Sequence, residues 1–265
     1  MRKLIFIAAV CAFVAVPTWA DLHGPGWDGG TASWTRVYYQ GQGGEFTLYP
    51  STAGSLLLSN APYASSTKGQ DGKPQSFQTF CLETDEYVAS NMRIWVSESS
   101  VNEATGVAEG TGSHAWQGGA NTNLGDNLDP MTTYYYTQFA MGQLPGYAYT
   151  GTVGGLNRSE TAGALQRLIW ATEGEGGSNF SVSFMGISLN DAQRALIDQW
   201  SNAWRSSGWE GIGDVRVLQL YYGGTGCNPE FKQDQLFLTP TPVPGAVLLG
   251  FLGLGAAGLK LRRFA

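Results

Sequence analysis

Two helix-forming stretches stand between runs that read as β-strands. That order constrains the fold of this 265-residue chain more than any other feature. The first stretch, SETAGALQRLIWATEGEG (159–176), has Ser159 as a candidate N-cap, Glu160 in the first turn, and glycines from Gly174 onward to stop it. The second, LNDAQRALIDQWSNAWRSSG (189–208), has Asn190 as cap and Gln193 at capping-box spacing. On it Ala192, Leu196, Trp200, Ala203 and Trp204 share a side expected to face the core. A shorter helix is expected from about Thr132, ended by Gly142 and Pro145.

The flanking runs have strand composition. WTRVYYQ (34–40) and EFTLYP (45–50) bracket the turn Gly41-Gln42-Gly43-Gly44 and read as a hairpin. SLLLS (55–59), SFQTFCLET (76–84), MRIWVSE (92–98), VRVLQLYYG (215–223) and DQLFLTP (234–240) follow as further strands. Residues 99–130 have no clean period, and a bare loop of that length is unusual, so short strands are expected within it. Strands, then helices, then strands again predict an α+β fold: one β-rich domain with sandwich-like sheets and two to three packed helices.

The two ends read differently. Arg2 and Lys3, the apolar run 4–16 and Ala20 form a signal-peptide pattern, predicting removal of residues 1–20 and export. TPTPVPGAVLLGFLGLGAAGLKLRRFA ends the chain with a proline-punctuated spacer, an apolar run over 245–259, and a basic tail of Lys260, Arg262 and Arg263. That run is short for a permanent span, which takes roughly 17–25 residues, and the basic tail is expected to stay cytoplasmic. The order of features resembles a PEP-CTERM sorting segment, with Pro242-Val243-Pro244-Gly245 where that family usually has Pro-Glu-Pro. The resemblance implies an exosortase-type processing protease as partner. It also implies a sorting helix that sits in the envelope membrane before processing, and a destination at the cell surface or outside the cell. A simple C-terminal membrane helix is the alternative. The domains expected are therefore 1–20, 21–240 and 241–265. Losing Arg2, Lys3, Lys260, Arg262 and Arg263 takes 15 basic residues to 10 against 21 acidic, a net charge of −11. Such a domain has no electrostatic footprint for nucleic acid.

Little in the mature region suggests turnover chemistry, and no cofactor or metal is expected. His23 and His114 have no nucleophile context, and no Cys/His metal spacing occurs. The polar run 121–129 lacks the ligand spacing of a calcium loop. Glu83, Asp85, Glu86, Glu173 and Glu175 are carboxylates that surface placement explains as well as paired glycosidase acids would.

The cysteines are more informative. Cys11 leaves with the signal peptide, so the domain keeps Cys81 and Cys227, a candidate disulfide in an oxidising compartment. Gln166 competes for Cys81. It shares an apolar helix side with Ala162, Ile169 and Trp170, where a buried amide is either fully hydrogen-bonded or consumed chemically. TFCLET and LQRLIW are similar to the two motifs of bacterial surface thioester domains, aromatic-Cys-aliphatic followed by aliphatic-Gln-x-x-aliphatic-Trp. That resemblance implies Cys81 as sulfur donor, Gln166 as acyl donor, and Phe80, Leu82, Ile169 and Trp170 as the shield against water. It implies covalent capture of an amine-bearing surface ligand, a single-use event and not enzymatic turnover. GGEFTLYP, FCLETDEY and LQRLIWATEGE also resemble stretches of PEP-CTERM surface proteins. The alternative function is a non-covalent structural module of the extracellular matrix, associated with polysaccharide and held by a Cys81–Cys227 disulfide. Eight tryptophans and many tyrosines in the mature region offer stacking platforms for sugars, although aromatics are more often core.

Overall fold

A computed structural model describes residues 26–51, 76–82, 84, 88, 91–97, 101–102, 107–108, 128–175, 179–222 and 230–239. The expected signal peptide, the sorting segment, the 55–59 strand, Cys227, His23, His114, Glu83, Asp85 and Glu86 lie outside them, as does the polar run up to residue 127. Within them, no helix is long and apolar enough to cross a membrane.

The domain is a mixed α+β unit. Its elements run β1 (Gly26–Gln40), β2 (Gly43–Pro50), β3 (Phe77–Thr79), β4 (Met92–Ser97), β5 (Val101–Asn102), β6 (Val107–Ala108) and α1 (Pro130–Ala140). They continue as β7 (Thr152–Val153), β8 (Leu156–Asn157), α2 (Arg158–Thr172), α3 (Asp191–Ser207), β9 (Val215–Tyr222) and β10 (Glu230–Leu238). Six strands form one antiparallel sheet in the order β10-β9-β4-β1-β2-β3.

The expected sandwich-like layers take the form of this single sheet bent almost into a ring. Leu236 N–H donates to Phe80 O at 3.2 Å and Leu82 N–H to Asp234 O at 3.0 Å, so the chain just beyond β3 meets the far edge strand. Bulges in β1, between Arg36 and Tyr38 and between Asp28 and Gly30, and in β10, between Lys232 and Gln235, supply extra local twist. Near-closure also covers both edges, which otherwise present unpaired backbone groups.

The hairpin of β1 and β2 forms as the sequence indicates, but its turn is only Gly41-Gln42, and Gly43 and Gly44 belong to β2. The middle helix, α2, is buried from Thr161 to Trp170 on every side, so it is a central strut and not a surface helix. Its cap is Asn157, not Ser159. The Asn157 side chain accepts from Glu160 N–H at 3.1 Å while the Glu160 carboxylate accepts from Asn157 N–H at 2.8 Å. α1 starts at Pro130, two residues before the expected Thr132, because Asp129 caps it and Pro130 fits the first turn. α3 has the expected Asn190–Gln193 capping box. Its buried face is Gln193, Leu196, Ile197 and Trp200, and Ala192 is exposed. Gln193 is drawn in because its amide also donates to Gln40 Oε1 at 2.9 Å and to Glu160 O at 2.7 Å, tying α3 to α2 and β1.

Candidate functional site

Cys81 and Gln166, 85 residues apart in sequence, meet in the interior. Cys81 N–H donates to Gln166 Oε1 at 3.1 Å, and Gln166 Nε2 donates to Cys81 O at 2.7 Å. Cys81 is 1% exposed and Gln166 0%.

Strand register explains the clasp. β2 pairs with β3 through Phe46↔Thr79, and continuing that register would set Gly44 opposite Cys81. Instead α2 wedges in at this point, and the Gln166 amide takes the place of a neighbouring strand's backbone. Phe80 and Leu82 bond to β10 on the other side, so the backbone at this seam is satisfied on both flanks.

Gly43 makes the wedge possible. A methyl group at residue 43 would lie 2.5 Å from Gln166 Cγ, 2.7 Å from Trp170 Cη2 and 3.0 Å from Ile187 Cδ1. Gly163, on α2, similarly leaves room for Gln40, whose Oε1 would lie 2.4 Å from an added Cβ.

Phe80, Leu82, Ile169 and Trp170 are all buried in the same apolar cluster as Cys81. Phe80 packs edge-on against Phe139, with ring centroids 4.9 Å apart. Trp170 packs edge-on against Phe184 at 5.9 Å, and the Arg167 guanidinium lies 4.7 Å from the centre of the Phe184 ring. Burial among these rings lowers the pKa of Arg167. The segment carrying Phe184 and Ile187 is fastened over the hairpin tip by Gln42 N–H donating to Met185 O at 2.8 Å. The site is therefore walled by groups that exclude water.

Sequence reasoning missed a polar neighbour of the sulfur. Gln235 Nε2 donates to Cys81 Sγ at 3.2 Å. The signal was present in the polar run QDQ leading directly into the apolar LFL of β10. All six of these residues are buried, and the β10 bulge at this point re-aims its side chains. Gly43 and Phe184 were likewise not singled out.

A second polar centre lies at the start of α2. Arg158 grips the buried Glu45 with Nε to Oε1 at 2.8 Å and Nη2 to Oε2 at 2.8 Å, and Tyr147 Oη donates to the same carboxylate. Burial pushes the Glu45 carboxyl above its ordinary range, opposed by the bonds and charge of Arg158 and by the bond from Tyr147. A cavity of about 370 Å³ beside it is lined by Tyr38, Tyr149, Arg158 and Ser159 among others. Its cation is already committed to Glu45, and Tyr149 Oη turns inward to donate to Phe139 O at 2.9 Å.

Of the candidate carboxylates, the two among the described residues hold structural bonds. Glu173 Oε1 accepts from Asp129 N–H at 3.2 Å, and Glu175 Oε2 accepts from Thr84 Oγ1 at 3.0 Å. Among the described residues, no group of three or more His, Cys, Asp or Glu side chains is placed to hold a metal ion. No family profile, curated protein or solved structure matches this chain.

Proposed function

We propose that this is an exported protein, sorted to the cell surface or extracellular matrix through its C-terminal segment, whose domain carries a Cys81–Gln166 internal thioester. The thioester serves as a single-use trap for an amine on a neighbouring surface. One observation carries this reading: a cysteine and a glutamine distant in sequence are clasped together in a dry, apolar interior.

The chemistry balances without a co-reactant. The Cys81 sulfur attacks Gln166 Cδ, the C–N bond breaks, and ammonia leaves carrying the thiol proton. Cys81 N–H, already bonded to Oε1, is placed to steady the negative charge that develops on that oxygen. Burial then protects the product from hydrolysis. Capture of a partner requires the covering segment around Phe184 to move aside.

The test is the mass of the whole protein and of its Cys81 and Gln166 peptides, measured without reductant. The thioester predicts a deficit of about 17 Da that disappears in Cys81→Ala and in Gln166→Ala, and addition of methylamine to the intact protein. A deficit of about 2 Da reversed by reductant would instead identify a Cys81–Cys227 disulfide and the matrix-module alternative. An unmodified mass would leave Gln166 as a purely structural amide and overturn the trap.

A further inference from the structure

The Cys81 sulfur has a hydrogen-bond donor that the expected chemistry does not account for. Gln235 is 1% exposed, and while its Nε2 reaches Cys81 Sγ at 3.2 Å, its Oε1 is buried with no hydrogen-bond partner among the described residues. Burying a polar atom unpaired costs about 1–3 kcal/mol, so such atoms need a reason to persist. Gln235 is also held rigidly. Its neighbours Asp234 and Leu236 are bonded to Leu82 and Phe80, and Gln235 itself forms a β-bridge with Cys81.

Resting on the thioester reading, we propose that Gln235 is the positioning residue of the Cys81–Gln166 pair and that its vacant carbonyl receives the N–H of a primary amine. A buried thiol is driven toward its neutral, weakly nucleophilic form, and a donor aimed at sulfur works against that by favouring the thiolate. When the amine attacks Gln166 Cδ, the C–S bond breaks and the sulfur departs with the bonding pair. It then takes the surplus proton from nitrogen, restoring the thiol and leaving Gln166 as a secondary amide. The Gln235 amide serves both partners of that exchange, its N–H steadying the departing sulfur and its oxygen orienting the entering nitrogen. It accepts no proton itself, since a neutral amide is too weak a base.

The experiment titrates Cys81 by its ultraviolet thiolate absorbance in the full-length Gln166→Ala protein, in which no thioester can form, with Cys11→Ser and Cys227→Ser added so that no other thiol contributes. The same protein is then measured with Gln235→Met added, which keeps length and removes both amide atoms. The midpoint is expected to rise by about one pH unit in the double variant. In the chain with Gln166 intact, Gln235→Met should slow ammonia loss and methylamine incorporation about tenfold at neutral pH. Gln235→Glu replaces the donor with a carboxylate of the same shape and should raise the midpoint likewise, which covers the case of a Met variant that does not fold. Equal midpoints with and without Gln235, or a thiol that does not titrate in either protein, overturn the proposal. A chain that never loses ammonia overturns the thioester reading instead, and the titration still decides whether Gln235 acts on the sulfur.

Discussion

Gly43→Ala tests whether the hairpin tip sets the position of Gln166. Gly43 does not occupy the left-handed region, so alanine carries no backbone penalty and the effect is steric. The new methyl would sit 2.5 Å from Gln166 Cγ, whereas comfortable carbon contacts begin near 3.5 Å, so one group must retreat by about 1 Å. Trp170 Cη2 at 2.7 Å and Ile187 Cδ1 at 3.0 Å close off the alternatives, because both belong to buried side chains. Overpacking of this kind costs about 1–3 kcal/mol, and losing the two bonds to Cys81 adds about 1 kcal/mol each. The expected destabilisation is about 3–5 kcal/mol, a large share of the 5–15 kcal/mol typical of a domain. Urea unfolding of the wild type, Gly43→Ala, Gln166→Ala and the double variant measures it as a cycle. With Gln166 truncated, the worst clash and both hydrogen bonds are already gone, so Gly43→Ala should cost at least about 2 kcal/mol less there. A 1 Å misplacement should also slow ammonia loss about a hundredfold. Additivity within about 0.5 kcal/mol, or ammonia loss at the wild-type rate in Gly43→Ala, would refute the mechanical link between β2 and the pair.

Other consequences are equally direct. Because burial raises the Glu45 pKa, the native chain holds that proton more tightly than the unfolded chain does. The stability gained from it is complete below the unfolded value near 4.5 and is lost as pH rises through the native one. Melting temperatures of the wild type and Glu45→Gln between pH 4 and pH 8 should therefore diverge in the wild type's favour toward acid, and divergence toward neutral pH would contradict this. Asn157→Ala should cost about 1 kcal/mol in denaturant unfolding while Ser159→Ala costs almost nothing, since the capping box belongs to Asn157. Gln193→Ala removes the bonds to Gln40, Glu160 and Asn190 together and should cost about 2–4 kcal/mol, read as a lower urea midpoint at unchanged m-value.

Periodicity and local chemistry are properties of neighbouring residues, so the sequence alone determined the elements they govern. The β1–β2 hairpin, the strand over 92–97, the last two strands and the Asn190 cap were all legible. So was the apolar setting of Gln166 between Ala162, Ile169 and Trp170. Misjudged details had tertiary causes. Asn157 was passed over as a cap because Arg158, drawn away to Glu45, hid the helix start. Gly43 reads as a turn residue, yet it is glycine because α2 passes too close for a Cβ. Gln193 looked like a cap partner only, and its contact with Gln40 depends on how α3 meets β1. The sulfur's environment was the least legible part. Gln235 lies 154 residues from Cys81, and only closure of the sheet between β3 and β10 brings its amide to Sγ. The sequence specified a cysteine on a strand-like run and a glutamine on a helix; long-range closure decided that they share a dry interior and which third side chain joins them.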